Sequence, residues 1–165
     1  MITDIESFIK YFHGQRRRTQ WMIDALPEEK SGWRPWPGEP SSAELICRLG
    51  ATHLMYATVV VHDYWAVDDY PEAAVSWHAA QAYLRAKTEG ALDLLRAQPD
   101  TVLNAKRTKL DANIPMSAWR FLMMMLDAEI HHRAQLSTYL MLLDVRRPRM
   151  DALSIEAVQA SLKAK

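Results

Sequence analysis

Ala118, Phe121, Met125, Ala128, His132, Leu136, Tyr139 and Leu143 recur at three- and four-residue steps across some twenty-five residues. Only an α-helix places such positions on one face, so this stretch must be a long helix with a single buried stripe. A stripe of that length needs other helices to cover it. Three more segments offer matching faces. Ile5, Phe8, Ile9, Phe12, Ile23 and Leu26 predict a first helix running to about Leu26, and Thr3 with Glu6 reads as its capping box. Ser41 with Glu44 makes a second capping box, ahead of a helix from about Ser42 to Trp65 with Leu45, Leu49, Tyr56 and Val60 inward. Trp77, Tyr83, Leu84, Leu92 and Leu95 mark a third, from about Ser76 to Gln98. Four long helices with no convincing strand imply an all-α helical bundle.

The connections follow from the breakers. PEEKSGWRPWPGEP, residues 27 to 40, holds four prolines and two glycines and reads as an extended connection. DDYPEAA is a break, and Pro99 to Pro115 reads as loop. Ser154 is the expected cap of a short terminal helix carrying Ile155, Val158 and Leu162. At 165 residues the chain is expected to form a single domain over residues 1–165, with a core of its own.

Charge and cysteine content narrow the function classes. The formal net charge is zero, so no whole-chain field draws in nucleic acid or an anionic membrane. The runs Arg16-Arg17-Arg18 and Arg146-Arg147 are short, lie near acids, and read as solvated surface. Cys47 is the only cysteine, so no internal disulfide can form, which fits a reducing compartment. MITDIESF carries acids where a secretory signal would carry Lys or Arg, and the densest apolar stretch, Phe121 to Leu126, is too short to span a bilayer. A soluble cytoplasmic protein with no nucleic-acid or membrane partner is the expectation.

The chemistry centres on EIHHR, residues 129 to 133. The stripe turns His132 inward, while His131 and Arg133 lie about 100° to either side. Glu129 sits three residues before His132, a Glu-x-x-His pair able to share one face, and His53 near the middle of helix two could approach both. Bundles build metal sites from such imidazoles and carboxylates on facing helices. The commoner roles are plainer: a lone inward His is usually a hydrogen-bonded core residue, and a Glu beside an inward stripe usually reaches water. Cys47 beside Arg48 reads either as a thiolate favoured by the cation or, more commonly, as a small buried residue. The methionines, Met123 to Met125 included, read as core filler, and Trp33 and Trp36 as packing over the bundle end or lining a pocket mouth.

WRPWPGEPSSAELI, the helix ending EIHHRAQLSTYLMLLDV, and RRPRMDALSIEAV after it together resemble the DinB-like superfamily over essentially the whole chain. The resemblance implies a four-helix bundle with up-down-down-up topology, a homodimer, and a divalent zinc or nickel ion held by three histidines, in some relatives serving thiol-dependent transfer or isomerisation. Carried over residue by residue, the three ligand positions fall on Arg48, Ala128 and His132. Only His132 is a histidine. The resemblance therefore implies a DinB-like protein with a degraded metal site and no bound cofactor. Such a chain is expected to bind a small anionic molecule near Arg48 and His132, or to be an inactive relative, with Glu129 or Glu44 as a partner for Arg48. The alternative is a rebuilt zinc or nickel site of His53, Glu129 and His132, serving a hydrolase or thiol-dependent transferase. Met123, Met124, Leu140 and Met141 are available for a dimer contact.

Overall fold

The structure, a computed structural model, describes residues 3–70, 74, 76–110, 114–149 and 155–163. Its long helices are α1 (Ile5–Ala25), α2 (Ser42–His62), α3 (Trp77–Arg96) and α4 (Ala118–Leu142), followed by a short α5 (Ile155–Lys163). The expected cap of α5, Ser154, lies outside the described residues.

The helix starts are set by side-chain caps. Ser41 and Glu44 form the expected box: the Ser41 hydroxyl accepts from the Glu44 N–H at 3.2 Å, and the Glu44 carboxylate accepts from the Ser41 N–H at 2.7 Å. The Thr3–Glu6 box does not form. Asp4 caps α1 instead, accepting from the Ser7 N–H at 2.7 Å. A carboxylate is the stronger acceptor there, and its charge suits the positive end of the helix dipole.

Two other expectations need correction. Helix α2 stops at His62, three residues before Trp65, because Asp63 turns left-handed at φ 52°. Pro99 to Pro115 is not simply loop. It contains a 3₁₀ turn, Asp100–Asn104, and a two-stranded antiparallel hairpin whose strands are β1 (Lys106–Lys109) and β2 (Ile114–Ser117). The sequence KRTK has no apolar alternation to announce a strand. The hairpin is held by tertiary bonds to the end of α2: Arg107 Nε donates to the Val60 carbonyl at 2.7 Å, and the Thr108 N–H donates to the Asp63 carboxylate at 2.8 Å. The hairpin thus satisfies a carbonyl that the end of a helix would leave without a partner.

Helix α2 packs against α3 and α4, α4 packs against α1, and α1 touches α3 only lightly. Neighbouring positions give the directions. Gly50 and His53 of α2 meet Leu84 and Thr88 of α3, so these two helices run parallel. Arg16 and Gln15 of α1 meet Glu129 and Arg133 of α4. Two apolar clusters supply the remaining directions. One joins the start of α1 and α4 (Phe8, Phe12, Phe121, Met125) to the end of α2 and α3 (Val60, Leu95). The other joins Ile23, Leu136 and Leu140 to Leu45, Leu49 and Leu84. The helices are therefore arranged up-down-down-up.

The proline-rich connection is tied across one end of the bundle. Trp33 packs edge-on against Tyr139 at 5.4 Å, and the Tyr139 hydroxyl donates to the Pro40 carbonyl at 2.8 Å, while Trp36 is exposed. Helix α2 is long and apolar enough by composition to cross a membrane, yet over half of that stretch is buried in the bundle, as in a core helix. Of the residues offered for a dimer contact, Leu140 is wholly buried in its own core and Met141 is exposed.

Candidate functional site

Between the two apolar clusters lies a layer of polar side chains. It is built on a close approach of α2 to α3: a Cβ on Gly50 would lie 2.9 Å from the Leu84 Cα, so only glycine lets these backbones come so near. One turn further along, His53 meets Thr88, with 2.9 Å between Nδ1 and Oγ1. The Thr88 hydroxyl gives its own hydrogen to the Leu84 carbonyl at 2.7 Å, so its oxygen is left to accept from Nδ1–H. The other ring nitrogen, Nε2, lies 2.8 Å from Oε2 of Glu129 on α4. His53 and Glu129 are both completely buried, and the Phe12 ring meets the imidazole edge-on at 5.0 Å.

The carboxyl of Glu129 is pulled two ways. Burial pushes its pKa up, and the His53 hydrogen bond, the His53 charge and the Arg16 guanidinium pull it further down, leaving it below the usual carboxylate range. Both His53 ring nitrogens thus have an oxygen within hydrogen-bond distance, Thr88 on one side and Glu129 on the other. Arg16 completes the layer: its side chain is only 13% exposed, with Nη1 3.8 Å from Glu129 Oε1. That distance is an ion pair and not a hydrogen bond, and neither atom has a hydrogen-bond partner. Burial holds the Arg16 pKa below its ordinary value, with Glu129 and Asp24 opposing the shift.

Arg16 and Glu129 correct two expectations. Arg16 does not belong to solvated surface, because it falls four residues after Phe12 and three before Thr19, both buried on the α1 stripe. Glu129 does not reach water, because His53 on the facing helix offers it a partner.

The three positions assigned by the resemblance lie elsewhere. Arg48 is exposed, with its Nε donating to the Tyr70 hydroxyl at 3.2 Å. It pairs with neither expected carboxylate: Glu44 is held by Arg34 through two bonds of 2.7 and 2.9 Å, and Glu129 belongs to the central layer. The Ala128 carbonyl accepts from His132 Nδ1 at 2.7 Å, which leaves Nε2 as the unprotonated nitrogen. His132 is 7% exposed, and its pKa is held down by burial first and then by the positive fields of His131, His53 and Arg48. His53 and Glu129 thus come together, but among the described residues no group of three or more His, Cys, Asp or Glu side chains could hold a metal ion. The donor set does not fit a divalent ion held by three histidines.

A model of the DinB superfamily matches residues 11–136, three quarters of the chain. The chain belongs to the DinB superfamily. Its fold is similar to that of a DinB-like protein from Bacillus cereus, at 20% identity and a TM-score of 0.76, covering 91% of this chain and 99% of the other. A DinB-like protein from Bacillus subtilis is similar at 14% identity and a TM-score of 0.67, covering 87% and 99%. These identities speak to fold alone. No curated protein matches the chain.

Two clefts accompany these residues in this DinB chain. One, of about 330 Å³, lies beside Arg48 and is lined also by Arg34, Glu39, Glu44, Asp69 and Tyr70. The other, of about 600 Å³, opens between α1 and α3 and is lined in part by Arg16 and Thr88. Thr88 was not singled out in the sequence, where a threonine inside a helix carries no signal of its partner. Cys47 is fully buried, and burial followed by the Glu44 charge pushes its thiol up to about 12, so the neighbouring Arg48 does not make it a thiolate. Of the remaining histidines, His78 lies 3.3 Å from Glu28 at the surface, His131 packs edge-on against His132, and His62 is exposed.

Proposed function

We propose that this DinB-superfamily chain works without a divalent ion, as a protein that binds a small anionic molecule or as an inactive relative of the family's metal-dependent members. The observation that carries the reading is Arg16: the positive charge facing Glu129, the partner of the buried His53, is a guanidinium built into α1. Arg48 and Ala128 at the ligand positions support it, since one imidazole at His132 does not hold an ion against water. The reading carries with it a homodimer in the reducing cytoplasm, where Cys47 stays a thiol; light scattering of the purified chain checks the dimer.

The test is metal content by plasma mass spectrometry after chelator stripping and separate reloading with zinc and nickel, for wild type and His132→Ala. Neither protein should retain stoichiometric metal. Near-stoichiometric metal in wild type that disappears in the variant sinks the reading. It would favour zinc or nickel at His53, Glu129 and His132 in a hydrolase or thiol-dependent transferase. One observation speaks for that second reading: the Ala128 carbonyl orients His132 with Nε2 free, as outer-shell carbonyls orient metal-bound histidines.

A further inference from the structure

The cleft between α1 and α3 has a size and lining that suit a ligand. Its volume of about 600 Å³ falls within the ~300–1,000 Å³ of small-molecule sites. Arg17 from α1 and Arg85 from α3 line it, and neither has an ion-pair partner among the described residues. Leu84 and Leu92, almost wholly buried, lie at its floor. Two acids also line it, but Asp24 is bound at 2.7 Å by Gln20 Nε2, while Gln20 Oε1 accepts from Arg16 at 2.9 Å. Glu89, one turn after Arg85, makes no ion pair with it. Arg17 and Arg85 are therefore guanidiniums to which neither acid of the cleft is bonded. The cleft beside Arg48 is the reverse: Glu39, Glu44 and Asp69 line it, and Arg34 is already bound to Glu44.

We infer that the α1/α3 cleft binds a small organic anion, a carboxylate or phosphate ester with an apolar body, held between Arg17 and Arg85. The inference deepens the reading of this chain as an anion-binding protein and rests on it. The planar guanidinium forks suit the paired oxygens of either anion, and the apolar body lies along Leu84 and Leu92. Occupancy is felt by the buried layer, because Arg16 lines the cleft and faces Glu129, and Thr88 lines it and holds His53.

Calorimetric titration of the full chain with phenyl phosphate tests this, with benzyl alcohol as the uncharged comparison and Arg17→Ala/Arg85→Ala as the variant. Both substitutions are on solvated helix positions, and an unchanged circular dichroism spectrum and melting temperature certify the fold of the variant. Phenyl phosphate should saturate wild type in the millimolar range or below, benzyl alcohol should not, and the double variant should weaken binding by about tenfold or more. Equal affinity in wild type and the double variant overturns the cleft. If Arg48→Ala abolishes that binding instead, the anion sits at the other cleft, and only the reading of the chain as an anion binder survives. No saturable binding of phenyl phosphate overturns both. Metal retained after reloading would remove the metal-free reading and leave the cleft result standing by itself.

Discussion

Two regions of this bundle each set an arginine near a histidine, and they treat the arginine in opposite ways. The central layer of Arg16, His53, Thr88 and Glu129 is mostly buried, with His53 and Glu129 fully so, and it joins four helices through two hydrogen bonds and one ion pair. The region around Arg48, Ala128 and His132 lies nearer one end of α2, with His132 buried but Arg48 in solvent, bonded at 3.2 Å to Tyr70. Family resemblance directs attention to the second region, while burial and geometry direct it to the first. The lesson is that groups on all four helices meet where burial and geometry bring them together, at the layer of Arg16, His53, Thr88 and Glu129, and not at the positions the resemblance points to.

The sharpest way to break the comparison is to remove a partner from the central layer. Glu129→Ala removes the carboxylate that faces the buried Arg16 guanidinium and leaves His53 Nε2 without its partner. Loss of one partner from a buried pair costs about 3–5 kcal/mol. Urea unfolding should show that loss, and adding Arg16→Met should recover part of it by removing the stranded cation. A cost no larger than that of a surface substitution would mean that the layer does not hold the helices together. Gly50→Ala comes next. The new methyl group meets the Leu84 backbone at 2.9 Å, so α2 and α3 must part, at about 1–3 kcal/mol. The His53–Thr88 bond should lengthen with them, seen as a shifted His53 ring resonance. Unaltered melting and an unaltered resonance would show that the helices yield without the layer noticing.

Why was one region legible in the sequence and the other not? Periodicity placed the stripes of all four helices, because burial repeats every turn whatever the partner. Ser41 and Glu44 were legible because a capping box is local. His53, Glu129 and His132 were each visible as candidates, but which of them meet depends on the depth of α2 against α4, which periodicity does not carry. Arg16 was hidden by company: in a run of three arginines the surface reading dominates, although its spacing from Phe12 and Thr19 put it on the buried stripe. The hairpin was illegible because its strands are stabilised by Asp63, Val60 and Trp65 from another element, and Thr88 because its role is set by a histidine thirty-five residues away.

A milder separation of the regions comes from pH. The His132 pKa is held below its ordinary 6.5, so the unfolded chain takes up that proton first. Its contribution is fully present above 6.5 and is lost as pH falls through the lower folded value. The Glu129 carboxyl is also depressed, from 4.5, so its contribution is present above 4.5 and is lost further into acid. Stability should thus fall in two successive stages on acidification. His132→Phe should flatten the first stage and leave the second, in melting temperatures measured across the range. A first stage that persists in the variant would assign it to another group.

The smallest effect is expected where the family resemblance would place the greatest weight. Arg48 is exposed, its side chain bonded among the described residues only to Tyr70, and it is unpaired with either expected carboxylate. Arg48→Ala should therefore change stability by no more than about 0.5 kcal/mol, as for an ordinary surface position. It should still be felt at His132. The Arg48 field lowers the His132 pKa, so removing it should raise that pKa in a proton NMR titration of the ring, without restoring 6.5, because burial is the larger cause and remains. An unmoved His132 titration would show that the two positions are not coupled even electrostatically. A large loss of stability would show that Arg48 has been drawn into the structure of the bundle, as Arg16 has.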